Sequence, residues 1–237
     1  YIKAISFTGS DVAGSKVAEC CGKNIKKTVL ELGGSDPFIV LEDVDMNECI
    51  DNAVISRMIN NGQSCIAAKR FIIHEKNHDK FVYNLKKKLD QLTIGDPQDI
   101  KTDIGPLATE DILIELDSQI QKSKKLGASI ISGGFKLDKK GYFYSPTIVI
   151  GLSKKMPIYH EETFGPVFSI IKAKDIEHMI EIANDSDFGL GGSIWSNNEE
   201  EALYVANKIE TGCVFINGFT RSDPKLPFGG IKKSGYG

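Results

Sequence analysis

The stretch KTVLELGG, residues 27–34, decides the fold class. Its aliphatic and β-branched residues predict a strand over residues 27–32, which Gly33 and Gly34 bring to an end. Glu31 lies among apolar neighbours near the C-terminal end of that strand, where open α/β sheets place their ligand sites. Glu31 is therefore a candidate site residue, and the alternative is an exposed carboxylate at a sheet edge.

A strand, a glycine turn and a helix come before this stretch. Residues 2–7 alternate loosely in polarity, Thr8, Gly9 and Ser10 form the turn, and residues 11–22 carry apolar side chains at helical spacing. Free N–H groups at a helix start attract anions, so Gly9 and Ser10 are candidate phosphate contacts. The residues match neither the P-loop nor the Gly-x-Gly-x-x-Gly pattern. An ordinary turn between a strand and a helix explains them equally well.

A cysteine follows the next strand and helix. Residues 38–41 predict a strand, and the apolar spacing of residues 45–60 predicts a helix. The chain then reaches Cys65 through a Gly-Gln-Ser turn, which can point a sulfur at a substrate instead of into a core. Free cysteines are among the most buried residue types. A structural cysteine is therefore the alternative, because reactivity needs an identifiable environment.

The rest of the chain keeps alternating apolar runs with amphipathic segments, which is typical of α/β proteins. It contains no internal repeat and no low-complexity tract. The further predicted strands cover residues 70–74, 128–132, 144–149, 168–172, 192–195 and 213–217. The further predicted helices cover residues 80–92, 109–126, 176–184 and 198–209.

Two later loops have unusual compositions. In residues 161–167 two acids, Glu161 and Glu162, precede an aromatic residue and a Gly-Pro break. Loops carry function more often than cores do, so this loop is a candidate site segment. The alternative is a solvated acidic pair or a partner for a helix dipole. The second loop, residues 219–230, is polar and ends in the sequence PFGG.

Composition narrows the class of protein. The 237 residues include 29 basic and 32 acidic side chains, for a net charge of -3, and show no basic stripe that would favour nucleic acid. No run of about 18 apolar residues predicts a membrane span. Five cysteines, an odd number without Cys-x-x-Cys spacing, argue against a disulfide framework or a structural metal and predict a reducing, cytoplasmic setting. Four histidines without a partner motif argue against a cysteine hydrolase.

Five motifs, taken together and in order, closely resemble the aldehyde dehydrogenase superfamily. They are FTGS at 7–10, ELGG at 31–34, GQSC at 62–65, ETFGP at 162–166 and PFGG at 227–230. The segment NGFTRSDP at 217–224 is most similar to the succinate-semialdehyde dehydrogenase branch. The resemblance extends over essentially the whole chain.

The resemblance implies a fold and a division into domains. We expect an α/β catalytic domain, an open twisted sheet with flanking helices, over residues 34–237, which include the start of a C-terminal return segment. Residues 1–33 would be a remnant of a Rossmann-type cofactor domain. The chain has no initiator Met and ends in the turn-like run 234–237 without a closing element. Both features predict a piece of a longer protein.

The resemblance also implies the catalytic chemistry. A thiolate adds to an aldehyde and gives a tetrahedral adduct that donates hydride well, which is nucleophilic catalysis. Cys65 is the expected nucleophile. Glu31 is the expected general base that activates water against the resulting thioester. Relatives that pass the acyl group to coenzyme A tend to lack this glutamate, so its presence favours the free acid as product.

The expected cofactor is NAD or NADP, and the residues of this chain do not discriminate between them. By resemblance, Gly9 and Ser10 approach the pyrophosphate, Leu32 lines the cofactor site, Glu162 holds the nicotinamide ribose, and Phe164 packs beside the nicotinamide. No metal is expected.

The expected substrate is a small aldehyde, and the similarity of residues 217–224 points to succinic semialdehyde. A guanidinium matches a carboxylate fork and a hydroxyl adds a donor, so Arg221 and Ser222 are candidates to bind the substrate carboxylate, with Phe228 beside them. The alternative for Arg221 is a surface loop arginine. Unpaired sheet edges predict a homo-oligomer, a dimer or tetramer. The competing functions are a coenzyme A-acylating enzyme and an inactive, self-associating fragment.

Overall fold

The computed structural model describes residues 1–237 and contains twelve strands, seven α-helices and one 3₁₀ helix. The strands are β1 (Ala4–Thr8), β2 (Lys27–Glu31), β3 (Pro37–Val40), β4 (Arg70–His74), β5 (Ser129–Ser132), β6 (Thr147–Ile150), β7 (Val167–Ala173), β8 (Phe188–Gly189), β9 (Ser193–Trp195), β10 (Phe215–Ile216), β11 (Ile231–Lys232) and β12 (Gly235–Tyr236). The helices are α1 (Asp11–Lys23), α2 (Met46–Met58), α3 (Glu75–Leu89), α4 (Glu110–Lys125), α5 (Pro157–His160), α6 (Ile176–Asn184) and α7 (Glu199–Ala206), and the 3₁₀ helix spans Ile59–Gly62.

A seven-stranded sheet in the order β10-β9-β3-β4-β7-β6-β5 forms the core of the molecule. All its pairs are parallel except the pair of β5 with β6 at one edge. Strands buried on both faces read as continuous apolar runs, which is why residues 38–41 and 70–74 were identifiable from sequence. The predicted open α/β sheet with flanking helices is confirmed.

Side chains from alternate strand positions build a separate core on each face of this sheet. One face is aromatic: Phe71 lies 5.1 Å from Phe38 and 5.0 Å from Phe168, measured between ring centroids, and α2 and α3 cover it. The other face is aliphatic, with Ile39 and Ile72 packed under α6 and α7. Helix α4 covers a third cluster beside β6.

A smaller sheet in the order β1-β2-β12 lies apart from the large one. Strands β1 and β2 are parallel with α1 between them, as the sequence predicted. Strand β12 pairs antiparallel to β2, with Tyr236 opposite Leu30. The expectation that residues 234–237 form no closing element is therefore wrong. The side chain of Ser234 is buried there, donates to the carbonyl of Gly33 at 2.7 Å and accepts from the amide of Gly189 at 3.0 Å.

Several predicted element bounds differ from the observed ones. Helix α3 begins at Glu75 instead of residue 80, because His74 caps it through its ring nitrogen and His78 is buried within it. Helix α7 ends at Ala206 instead of residue 209, and β10 covers only Phe215–Ile216. The small sheet pairs involving residues 188–189 and 231–232 were not predicted, because two-residue strands carry no periodicity.

The chain carries no helix with both the length and the apolar character of a membrane span. All five cysteines are free thiols. Cys21 and Cys49 are buried, Cys20 is exposed, and Cys65 and Cys213 are half-buried. Cys65 lies in a turn shortly after the 3₁₀ helix.

Candidate active site

The turn that carries Cys65 is built by two asparagines in the left-handed region. Asn60 and Asn61 have φ values of 49° and 56°, a conformation that Asn tolerates better than most residues. Their side chains hold the turn in place. The Asn60 amide donates to the carbonyl of Gln63 at 3.0 Å, and the Asn61 side chain accepts from the amide of Gly105 at 3.0 Å. The cysteine is therefore presented on a preorganised loop.

A buried arginine joins this turn to the later ETFGP loop. The guanidinium of Arg57 is fully buried and donates to the carbonyls of Gly62 (3.0 Å), Ala68 (2.8 Å) and Thr163 (2.8 Å), and also to that of Gly165. Burying a charge is costly unless it is hydrogen-bonded. The carbonyls that satisfy Arg57 belong to both motifs, so the two loops hold one another in place.

A second buried cation, Lys69, lies directly under Cys65. Its ammonium donates to the carbonyls of Ser64 (2.9 Å), Cys65 (3.0 Å) and Ala67 (3.2 Å). It also forms an ion pair with Glu162 at 3.2 Å. Burial lowers the pKa of Lys69, and the negative charge of Glu162 opposes that change.

Glu162 connects three of the motifs. Besides its ion pair with Lys69, its carboxylate accepts from the amide of Gly34 at 3.1 Å. A Cβ atom on Gly33 would lie 2.5 Å from the Glu162 carboxylate, so any larger residue there would have to displace that carboxylate. The side chain of Glu162 keeps 20% of its surface exposed, so it is not sealed off from solvent.

The thiol of Cys65 is half-buried, and its burial raises its pKa. The charge of Lys69 acts in the opposite direction, while those of Asp36 and Glu162 raise the pKa further, and the backbone N–H of Ile66 donates to the sulfur and lowers it. The net effect is a raised pKa, and only Lys69 and the N–H of Ile66 supply the electropositive contribution that a reactive cysteine needs.

Glu31 is the last residue of β2 and is half-buried. Burial raises the pKa of its carboxyl group. A Cβ atom on Gly229 would lie 3.6 Å from a Glu31 carboxylate oxygen, which places the PFGG motif against this carboxylate. Pairing with Gly235 holds the backbone of Glu31 in the small sheet. Glu31 is thus a partly desolvated carboxylate between two motifs, which suits a base.

The candidate cofactor residues lie at the start of α1 and next to Glu31. The amide of Gly9 donates to the carbonyl of Glu31 at 3.1 Å. Ser10 caps α1, and its hydroxyl accepts from the amide of Ala13 at 3.2 Å. Leu32 is buried against Gly14, where a Cβ atom would clash with the leucine side chain.

Phe164 is half-buried in the loop that follows Glu162. The first N–H groups of a helix have no partner within it, and at α1 they lie near the C-terminal end of β2. The residues present therefore fit a dinucleotide: a helix start for its phosphates and the partly exposed Glu162 side chain for a ribose.

The candidate substrate residues are less organised. Arg221 and Ser222 are exposed and form no ion pair or side-chain hydrogen bond within the chain, and Phe228 is half-buried. Thr220, immediately before them, is buried and lies against Asp36. This loop is therefore anchored at Thr220, while the side chains proposed to bind a carboxylate face solvent.

Three buried charged residues of this region were missed from sequence: Asp36, Arg57 and Lys69. Asp36 accepts from the amide of Gly191 at 3.0 Å through one oxygen, while its other oxygen has no partner in the chain. Burial raises the pKa of Asp36 to about 6. Asp36 and Lys69 come directly before β3 and β4, two strands that are buried along their whole length, and that position is a signal that could have found them.

Known proteins resemble this chain over its whole length. The family model described as the aldehyde dehydrogenase family matches residues 1–237. A succinate-semialdehyde dehydrogenase [NADP(+)] of Mycobacterium avium strain 104 is 50% identical over 236 residues, which cover 100% of this chain and 50% of the relative. The chain thus spans about half the length of the curated relatives it matches.

Solved structures of related enzymes superpose closely on the chain. Succinic semialdehyde dehydrogenase from Streptococcus pyogenes, in complex with NADP+, has a TM-score of 0.96 at 46% identity and covers 99% of this chain and 52% of its own. Lactaldehyde dehydrogenase from Escherichia coli also has a TM-score of 0.96, at 34% identity, over 99% and 49% of the two chains. One fold therefore accommodates enzymes named for different aldehydes, and the fold alone does not fix the substrate.

Proposed function

The chain belongs to the aldehyde dehydrogenase family, and from that premise we propose that it is the thiol-bearing part of an NAD- or NADP-dependent enzyme that oxidises succinic semialdehyde to succinate. One observation carries the proposal. The ELGG, GQSC and ETFGP motifs meet at Cys65, where Glu162 binds both the amide of Gly34 and the ammonium under the cysteine turn. Because the chain spans half of its relatives, the activity is proposed for the protein of which it is a part.

Cys65 would act as the nucleophile. Its thiolate sulfur would add to the aldehyde carbon, and the carbonyl oxygen would become an alkoxide to which the backbone N–H of Cys65 would donate. A donor of this kind is worth about 2.7–4 kcal/mol of barrier where it has been measured in other enzymes. Lys69 favours the thiolate against the burial that opposes it.

Glu31 would act as the general base in the second half of the reaction. After oxidation the acyl group is a thioester on Cys65, and water must attack it. A glutamate whose pKa is raised by burial accepts a proton from water nearer to neutral pH than an exposed glutamate does. This residue favours hydrolysis over transfer to coenzyme A.

A nicotinamide dinucleotide supplies the hydride acceptor when it is bound. The start of α1, with Gly9 and Ser10, would receive its phosphates, and Glu162 would hold the ribose next to the nicotinamide. Leu32 and Phe164 would form apolar walls. The name of the Mycobacterium avium relative and the cofactor in the Streptococcus pyogenes structure favour NADP.

Arg221 and Ser222 would bind the distal carboxylate of the substrate, with Phe228 beside the aldehyde chain. Support for succinic semialdehyde comes from the names of the similar proteins and from the presence of a free guanidinium on an exposed loop near Phe228. The pairing would be charge-assisted and forked.

Self-association is part of the proposal. Strands β10 and β5 each have one unpaired edge in the large sheet, and such edges are templates for pairing with another chain. We expect a dimer or tetramer. A monodisperse monomer in light scattering of the folded chain would contradict this.

The central test is formation of reduced nicotinamide from succinic semialdehyde with NADP and with NAD. It is run on the parent protein and on residues 1–237, each beside Cys65→Ser and the matched control Cys213→Ser. We expect turnover in the parent, a loss of about 10³-fold or more in Cys65→Ser, and little change in Cys213→Ser. Turnover that survives in Cys65→Ser would overturn the nucleophile. A folded but inactive chain of residues 1–237 would mean that the activity needs the rest of the protein.

A further inference from the structure

A buried lysine lies under the proposed nucleophile, and the proposed function uses its charge but not its contacts. The side chain of Lys69 is 1% exposed, and lysines are almost never fully buried unless they are paired. Every contact of its ammonium belongs either to the backbone of the turn around Cys65 or to Glu162. All the polar contacts of the Lys69 ammonium therefore lie within the candidate site.

The ammonium has more acceptors than protons. Lysine carries three N–H donors, while three carbonyls and one carboxylate lie within 3.2 Å of Nζ. The three carbonyls alone can use all three donors. Glu162 can therefore turn away from Lys69 without leaving a lysine N–H group unsatisfied, although the amide of Gly34 then loses its acceptor and the positive charge loses its counterion.

The charges around Cys65 make the position of Glu162 matter to the thiol. Lys69 favours the thiolate, whereas Asp36 and Glu162 disfavour it. Arg57 and Asp36 are the other charged groups that face Lys69. When Glu162 moves away, one negative neighbour of the sulfur is lost and the charge of Lys69 is no longer neutralised, so both effects act in the same direction.

We propose that Lys69 is a positioning residue that couples the nucleophile to the cofactor site. Its ammonium holds the Cys65 turn through three carbonyls and releases Glu162 to the ribose of a bound dinucleotide, which leaves the lysine charge to favour the Cys65 thiolate. This inference deepens the proposed function and rests on it for the roles of Cys65 and Glu162.

The test measures the pH midpoint for alkylation of Cys65 by iodoacetamide in the chain of residues 1–237. In this reaction the thiolate sulfur displaces iodide, so the midpoint reports the thiol pKa. The tryptic peptide that begins at Met58 contains Cys65 as its only cysteine, and mass spectrometry of that peptide separates it from the other four thiols. No turnover and no cofactor are needed.

Two variants should move the midpoint in opposite directions. Lys69→Gln keeps a hydrogen-bond donor and removes the charge, and should raise the midpoint by about one pH unit. Glu162→Gln removes the negative charge, as release of the carboxylate would, and should lower the midpoint by about half a unit or more. A loosened turn would shift both variants in the same direction, so the opposite signs separate a charge effect from a structural one.

The controls isolate the lysine charge. Lys69→Arg retains the charge, and its midpoint should stay near that of the unaltered chain. Arg70→Gln removes an equally buried cation on the next residue, whose guanidinium donates to Ser35, Ile182 and Ala183 instead of the cysteine turn. It should leave the midpoint unchanged.

An unchanged midpoint in Lys69→Gln, or shifts of the same sign in Lys69→Gln and Glu162→Gln, would overturn the proposal. If Lys69→Gln does not fold, the sign of the shift in Glu162→Gln decides alone, and a midpoint that fails to fall overturns it. Failure of the proposed function has a different signature, which is turnover that persists in Cys65→Ser of the parent protein.

Discussion

Gly34 lies directly against the carbonyl oxygen of Cys65, and a Cβ atom on Gly34 would lie 2.5 Å from that oxygen. The same carbonyl accepts from Lys69, and the amide of Gly34 donates to Glu162. The end of the ELGG motif is thus part of the wall that shapes the cysteine turn. A methyl group at this position has to displace backbone rather than a flexible side chain.

Gly34→Ala should therefore destabilise the chain by about 1–3 kcal/mol, the range for overpacking a well-packed site. Urea unfolding of residues 1–237 measures the loss of free energy. The matched control is Gly22→Ala in α1, where a Cβ atom meets nothing within 4 Å and the change should stabilise the helix by about 0.5–1 kcal/mol. Equal unfolding free energies for the two variants would mean that the cysteine turn accommodates a methyl group at Gly34 without loss of stability.

Arg221→Ala should raise KM for succinic semialdehyde about tenfold or more in the parent protein, because a charge-assisted pair is worth about 1.5–3 kcal/mol. KM for an uncharged aldehyde of similar length should hardly change. Steady-state kinetics with both substrates checks this, and Lys225→Ala in the same exposed loop is the control for general loss of positive charge. Equal effects on the two aldehydes would remove Arg221 from the carboxylate site.

Glu31→Gln should slow deacylation of Cys65 by about 10²–10⁴-fold, the usual contribution of a general base. The Cys65 thioester is formed with p-nitrophenyl acetate, and its decay is followed by mass spectrometry without any cofactor. In the unaltered chain the deacylation rate should rise with pH through a midpoint above the ordinary glutamate value of about 4.3, since burial raises the pKa of Glu31 and only the deprotonated form accepts a proton. That midpoint should disappear in Glu31→Gln, and its persistence would assign the titration to another group.

The stability of Asp36→Asn, measured relative to the unaltered chain, should be greater at neutral pH than at acid pH. The folded-state pKa of Asp36 is raised from 3.8 to about 6 by burial, so the folded state holds this proton more tightly than the unfolded state does. The favourable contribution of the protonated form is therefore present below about pH 4 and is lost as the pH rises to about 6. Each pKa unit corresponds to 1.36 kcal/mol, which sets an upper limit of about 3 kcal/mol for this group.

The measurement is the difference in unfolding free energy between Asp36→Asn and the unaltered chain at several pH values from 4 to 8. We expect this difference to move in favour of the variant as the pH rises. Asp11→Asn, at a half-buried position at the start of α1, is the matched control for the same substitution outside this buried site. A pH-independent difference for Asp36→Asn would show that its carboxyl group titrates normally.

Much of the fold could be predicted from sequence because its signals are local. The apolar runs at 38–41 and 70–74, and the apolar spacing of α2, depend on neighbours within a few residues. Element ends were less predictable. Helix α3 extends to Glu75 because His74 provides a cap, and β12 forms only because β2 offers a free edge to Tyr236.

The candidate site also has features that the sequence predicted and features that it did not. The family motifs were predictable because each is a short, contiguous pattern, and the membership they indicated is confirmed over residues 1–237. The roles of Cys65, Glu31 and the cofactor residues stay predictions. Lys69, Arg57 and Asp36 were not foreseen, because their importance depends on which distant carbonyls and amides surround them.

The sequence by itself determined the α/β class, the family and the cysteine turn, since periodicity, glycine positions and contiguous motifs are encoded in adjacent residues. Only the tertiary structure decided that Lys69 lies buried between Cys65 and Glu162, and that the hydroxyl of Ser234 donates to the carbonyl of Gly33. The physical reason is that burial and the charge of a neighbour set the pKa of an ionisable group. Both depend on segments that meet through packing and lie far apart along the chain.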